Sequence, residues 1–276
     1  MGLGVFHKYE GLGNDFILVE ATEASGASGV SPDRAVELCD RRRGIGADGV
    51  LVVSPAPHGG ARMRVVNADG SIPEMCGNGV RCVALHLARS RGLQGGDVRV
   101  ETDAGPRVCS IDSVGQGART AMVTVDMGVV RVLGDRTFSD EGRELTYAVA
   151  DAGNPHAVLF SAGPSSAFVR SDVDRLGPRL ARDPSFPNGT NVEFAHVHVG
   201  GIDLVVWERG VGVTLACGTG ACATVAVACA RGLAPRGQPV AVRLPGGRLD
   251  ITIDPSGRAI MRGPAHHVFE GTLESQ

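Results

Sequence analysis

A chain of 276 residues with 27 Lys+Arg against 30 Asp+Glu, and a formal charge of −3, carries no basic field that would attract a polyanion, so nucleic acid is not an expected partner. With 43% apolar and 21% charged residues it reads as globular rather than disordered, and its length admits one large domain or two modest ones, either able to bury a substantial core. Forty glycines point to many tight turns.

In chain order, the opening "MGLGVFHKYEGLGNDFILVE" alternates apolar and polar residues as a strand does and lacks the basic and apolar regions of a secretion signal. The run "DRRRG" at 40–44 reads as a solvated helix end. Short β runs follow at 50–54 and 62–66. Then comes "CGNGVRC" at 76–82, where Val80, Val83, Ala84 and Leu87 keep the spacing of a helix, with Asn78 as predicted N-cap and Gly92 as stop. Further strands are predicted at 97–102 and 121–126, and "MGVVRVLGDRTFSDEGRE" at 127–144 reads as a loop-like connection. The second half offers strands at 192–199, 202–207, 240–244 and 248–253. Between them "CGTGAC" at 217–222 leads into "ACATVAVACA" at 221–230, a helix apolar on all sides that belongs inside a fold, with Thr219 as predicted N-cap and Gly232 as stop. The stretch from Leu215 to Ala230 is too short and too rich in Gly, Thr and Cys to span a membrane. The closing "HHVFEGTLESQ" at 266–276 can return as a strand on either half.

Landmarks recur at a nearly constant offset. Asn14 matches Asn154, Ser31 matches Ser171, and "RVVNADG" at 64–70 matches "LVVWERG" at 204–210, each 140 residues apart, while Cys76 and Cys217 are 141 apart. Order and spacing together predict a duplication: an α/β chain of the α+β type with two pseudo-symmetric lobes, residues 1–130 and 131–265, each a curved, mainly antiparallel sheet wrapped around a central helix.

Each central helix begins just after a cysteine. A thiol there meets the positive end of the helix dipole and unpaired backbone N–H groups, which favour the thiolate and can lower its pKa from about 8.5 to roughly 3.5–7.5. The same N–H groups can cradle a carboxylate, and glycines let it approach. With two such cradles facing each other across a cleft, one sulfur would lie on either side of a bound α-carbon, roughly 6–7 Å apart at near-attack distances of ~3–3.5 Å. That arrangement suits inversion of a stereocentre by proton removal on one face and delivery on the other. Zinc knuckles are absent, since C-x5-C and C-x4-C are not their spacing, and no metal is expected. A phosphate-binding module without turnover remains an alternative, although GxxxxGK[ST] is missing, and so does a hydrolase, although GxSxG is missing. Seven cysteines, an odd number, without an export signal imply reduced thiols and a cytoplasmic location. Cys39, Cys82, Cys109, Cys222 and Cys229 read as small core residues.

"GLGNDF" at 11–16, "RRRGIGADG" at 41–49, "NADGS" at 67–71, "MCGNGVRC" at 75–82, "GNPH" at 153–156, "GTNVEF" at 189–194, "ERGVG" at 208–212 and "ACGTGACA" at 216–223 together resemble the diaminopimelate epimerase family, in order and over nearly the whole chain. The resemblance implies a cofactor-independent two-thiol epimerase converting LL- to meso-2,6-diaminopimelate in lysine and peptidoglycan precursor synthesis. It makes Cys76 and Cys217 the acid/base pair, and gives the reacting carboxylate to Gly77 with Asn78 and Gly218 with Thr219. It places Asn14, Asn67, Asn154, Asn191, Glu208 and Arg209 around the rest of a zwitterionic substrate, amides serving as donors and acceptors, Glu208 facing an ammonium and Arg209 gripping a carboxylate. Another cysteine-dependent racemase is the neighbouring alternative, and a homodimer is left open. The chain departs from the family pattern at Gly49, where some members carry Gln, at Glu10, where His is common, and at Val213, where Glu is usual. The loss at Val213 puts in doubt a supporting acid near Cys217 at that position. His156 is either a tuner of a thiol or a histidine satisfied within the core.

Overall fold

The computed structural model describes residues 4–21, 30–56, 60–73, 75–115, 117–161 and 168–273. They fall into two compact units, one holding the residues up to Val125 and those from Gly263 onward, the other Asp126–Arg262.

In the first unit, strand β1 (Gly4–Gly11) turns into β2 (Asn14–Glu20), helix α1 (Pro32–Cys39) leads to β3 (Gly49–Ala56) and β4 (Gly60–Asn67), and helix α2 (Gly77–Ser90) leads to β5 (Gly96–Thr102), β6 (Gly105–Ile111) and β7 (Thr120–Val129). The second unit repeats the plan. Strands β8 (Arg131–Asp140), β9 (Arg143–Asp151) and β10 (Pro155–Phe160) precede helix α3 (Arg170–Leu180). Then come β11 (Asn191–His198), β12 (Gly201–Glu208) and the short β13 (Gly212–Thr214), helix α4 (Gly218–Ala230), and β14 (Val240–Leu244), β15 (Gly247–Ile253) and β16 (Arg258–Leu273).

Most pairings are antiparallel, and the parallel ones sit at matching places. In the first unit β2 pairs parallel to β3 across α1 and β4 to β5 across α2; in the second β10 pairs parallel to β11 across α3 and β12 to β14 across α4. A parallel neighbour needs a crossover, and a helix supplies it each time. In the first unit the order β1-β2-β3-β4-β5-β6-β7-β16 closes on itself, because the end of β16 also pairs antiparallel with β1. The final stretch thus joins the first unit. The unit boundaries at 125/126 and 262/263 fall inside β7 and β16, whereas the repeat spacing alone divides the chain at 130/131 and 265/266.

The predicted wrapping of a sheet around a central helix is what each unit shows. Helix α2 packs against β1 to β6, and α4 against β8 to β11 and β15. Both are buried from their first residue nearly to their last, α2 over Gly77–Ala88 and α4 over Gly218–Cys229. For α4 the all-apolar sequence explains this. For α2 it requires burying Arg81, whose guanidinium donates to the Pro264 and Gly77 carbonyls and to Asn78 Oδ1.

The 127–144 stretch is a correction: it is not loop-like but forms the end of β7, the whole of β8 and the turn into β9. The first seven residues of β8 are exposed, so both faces of its start meet solvent and the burial alternation that marks a strand is missing. The arginine run at 40–44 is also more than a solvated end, since Arg41 bridges Asp15 and Asp48 at 2.6 and 2.7 Å. No described helix is long and apolar enough to cross a membrane.

Candidate active site

In the first unit, β4 and the turn after it carry the chain to Cys76, which is itself the N-cap of α2. Its backbone is extended (φ −137°, ψ 103°), its carbonyl accepts from Val80 N–H at 2.9 Å, and its sulfur accepts from Gly79 N–H at 3.4 Å. The predicted cap, Asn78, lies inside the first turn instead, and its amide donates to Asn14 Oδ1 at 3.0 Å. Asn14 in turn donates to Asp48 at 2.8 Å. Cys76, Gly77, Asn78 and Asn14 are therefore brought together. Asn67 ends β4, opposite Gly49 in register, and its amide donates to Ser71 at 2.9 Å. Gly79 has no room for a side chain, because a Cβ there would stand 2.9 Å from Leu51 and 3.3 Å from Cys76 Sγ.

The second unit repeats the device with more charge around it. Cys217 caps α4 with φ −128° and ψ 110°, so Thr219 is not the N-cap; its hydroxyl lies 3.5 Å from Cys217 Sγ. A Cβ on Gly220 would meet Glu193 Oε1 at 2.8 Å and Cys217 Sγ at 3.3 Å. His156, fully buried, holds Glu193 Oε1 at 2.6 Å through Nδ1 and Asn154 Oδ1 at 2.8 Å through Nε2, so it is satisfied within the core and orients a candidate substrate residue. Glu208 accepts from Thr214 Oγ1 at 2.6 Å. Asn191 accepts the backbone N–H of Arg209 at 2.9 Å, and the Arg209 guanidinium donates to the Asn188 carbonyl at 3.0 Å. A cavity of ≈ 480 Å³ in this unit, lined by Pro178, Phe186, Trp207 and Gly212 among others, meets the candidate set only at Arg209.

The electrostatics around Cys217 reverse the expected lowering of a helix-start thiol. Burial first, and then the carboxylates of Glu208 and Glu193, push it well above its ordinary range, and the hydroxyl of Thr219 and the N–H of Gly220 pull it back only in part. Without ligand Cys217 is a thiol. Burial likewise raises Glu208, against the hydrogen bond from Thr214, and raises Glu193, against His156. Val213 removes one acid from this neighbourhood, yet the unit retains two.

Glu193, Asp48 and Thr214 are the residues sequence reasoning passed over. Glu193 sits in the stretch of β11 that is buried on both faces, so its carboxyl requires a partner there and finds one in His156.

The fold is the one seen in solved proline racemase-type and PhzF-type structures. A hydroxyproline epimerase from Agrobacterium vitis, solved with trans-4-hydroxy-L-proline, superposes with a TM-score of 0.73 at 18% identity over 98% of this chain and 90% of that one. A phenazine biosynthesis protein of the PhzF family from Bacillus anthracis gives 0.68 at 15% identity over 99% of both chains. Within this class the sequence is specific. The family model described as diaminopimelate epimerase matches residues 6–133 and 148–268. Curated diaminopimelate epimerases are similar over almost their whole length: 43% identical over 288 residues in Synechococcus sp. (strain JA-3-3Ab), covering 97% of each chain, and 39% over 281 residues in Desulfitobacterium hafniense, covering 96% of each. The chain belongs to the diaminopimelate epimerase family.

Proposed function

We propose that this protein interconverts LL- and meso-2,6-diaminopimelate without a cofactor, with Cys76 and Cys217 as the two acid/base groups. The observation that carries this reading is the repetition of one device: in each unit a buried central helix is capped by a cysteine whose next residue is glycine. One thiolate removes the α-proton and becomes a thiol, while the other thiol delivers a proton to the opposite face and becomes a thiolate, so charge and protons balance over the turnover. The free protein holds Cys217 as the acid, which fits the direction in which Cys76 abstracts. The backbone N–H groups at the starts of α2 and α4, among them those of Gly77, Asn78, Gly218 and Thr219, are the donors for the reacting carboxylate, whose charge grows towards the carbanion. Asn14, Asn67, Asn154, Asn191, Glu208 and Arg209 serve the remaining ammonium and carboxylate groups. A cytoplasmic location belongs to the same reading, and the odd number of seven cysteines supports it.

The test is solvent-deuterium incorporation at the α-carbon of LL-diaminopimelate with nothing else added. Exchange with diaminopimelate but not with proline or glutamate is the expected result. Cys76→Ser and Cys217→Ser should each lower epimerisation by ~10²–10⁴, the usual contribution of a general acid or base. Exchange and inversion that survive Cys76→Ala would refute the two-thiol assignment.

A further inference from the structure

The first unit contains a second cluster of reactive side chains, on the β1–β16 pairing and outside the candidate active site. In register His7 stands opposite Glu270 and Tyr9 opposite His267. His267 and Glu270 are three residues apart, and in a regular strand they would point to opposite faces. The pairing, however, slips by one residue between Lys8 and Tyr9, and this bulge brings both to one side. Ligand-capable atoms of His7, His267 and Glu270 consequently lie within 4.8 Å of one another, with His7 Nδ1 3.6 Å from Glu270 Oε2.

A second observation points to a ligand. His267 is only 5% exposed, yet neither of its ring nitrogens has a hydrogen-bond partner. A buried imidazole carries at least one donor and one lone pair, and leaving them unmade is costly. Its neighbours are already committed. The Tyr9 hydroxyl, on a ring 4.9 Å away, bonds His86 Nδ1, and His86 Nε2 bonds Glu20 Oε1. The nearby guanidiniums of Arg89 and Arg119 are spent on the carbonyls of Gly117, Ala118, His267 and Val268.

We propose that His7, His267 and Glu270 bind one divalent transition-metal ion of the zinc class, leaving a fourth position to water. Two imidazoles and one carboxylate form a donor set that zinc accepts and that the all-oxygen preferences of magnesium and calcium do not match. The guanidiniums of Arg89 and Arg119 stand nearby, but among the described residues no group engages either ring nitrogen of His267, which leaves a lone pair for the ion. The same two arginines oppose the ion's charge and weaken its binding, whereas Glu270 offsets them. An ion held by β1 on one side and β16 on the other would fasten the strand that closes the first unit.

The experiment titrates chelator-stripped, tag-free protein with Co²⁺, read by visible absorption, and follows melting with and without Zn²⁺. One saturable equivalent with nitrogen and oxygen coordination, no thiolate-to-cobalt charge-transfer band, and a higher melting temperature with Zn²⁺ are expected. His7→Ala and Glu270→Gln, which leave the buried ring in place, should each weaken binding by ~10–100-fold or more, the loss that even an outer-shell partner produces, and His267→Ala should abolish it. No saturable binding, binding unchanged in His7→Ala, or a charge-transfer signal that disappears with Cys76→Ser or Cys217→Ser would overturn the proposal.

Discussion

At the scale of single residues, the contrast between Cys217 and its carboxylate neighbours gives the sharpest test. Because Glu208 and then Glu193 raise the thiol, neutralising either lowers it. In a Cys76→Ser background, the pH profile of Cys217 alkylation, followed by mass spectrometry, should move to lower pH in Glu208→Gln and by a smaller step in Glu193→Gln. A profile unmoved by both would mean that burial alone governs the thiol. The glycines behind the sulfurs are a separate case. Gly79→Ala pushes a methyl against Leu51 and Cys76, and Gly220→Ala pushes one against Glu193 and Cys217. Overpacking a tight core costs typically about 1–3 kcal/mol, so both variants should melt lower, and both should lose kcat because the atom displaced with the backbone is the sulfur. Variants with full kcat would show that the sulfur position tolerates the added methyl.

At the scale of elements, strand β16 carries a pH dependence. His267 has a folded pKa of about 4 against an ordinary 6.5. Below pH 6.5 the unfolded chain therefore takes up a proton that the folded chain refuses, so stability falls as the pH drops from about 6.5 to about 4 and is flat above that window. Thermal melts of metal-free protein at pH 7, 6 and 5 should show the decline, and His267→Phe should reduce its slope. A slope unchanged by the substitution would assign the acid sensitivity to other groups. Helix α2 shows how an element can be central without an apolar sequence: Arg81 is buried because carbonyls and an amide receive its N–H groups.

At the scale of the whole molecule, the duplication is completed by the chain's last strand. The end of β16 pairs with β1 and closes the first unit, while its beginning, at Asp250↔Arg262 through Ile253↔Ala259, pairs with β15 in the second. A chain ending at Arg262 should keep slow-exchanging amides in β10, β11 and β12 and lose them in β1 and β2, as judged by hydrogen exchange with mass spectrometry. Uniform loss across both units would show that they do not hold their structure separately.

The repeat, the two helices that open on Cys-Gly, the family and the residues proposed for the site were legible in the primary sequence, because these reside in short motifs whose order and spacing survive without coordinates. It also gave the stops at Gly92 and Gly232, where φ of +65° and +70° favours glycine. That the cysteines are themselves the caps follows from the fold alone, since capping depends on where the chain leaves extended geometry. It alone decided that Glu193 lies beneath α4 and holds His156, that Cys217 rests as a thiol, and that 127–144 forms strands. Desolvation, cross-strand register and a bulge that turns His267 and Glu270 together towards His7 depend on residues far apart in the chain, and no local pattern records them.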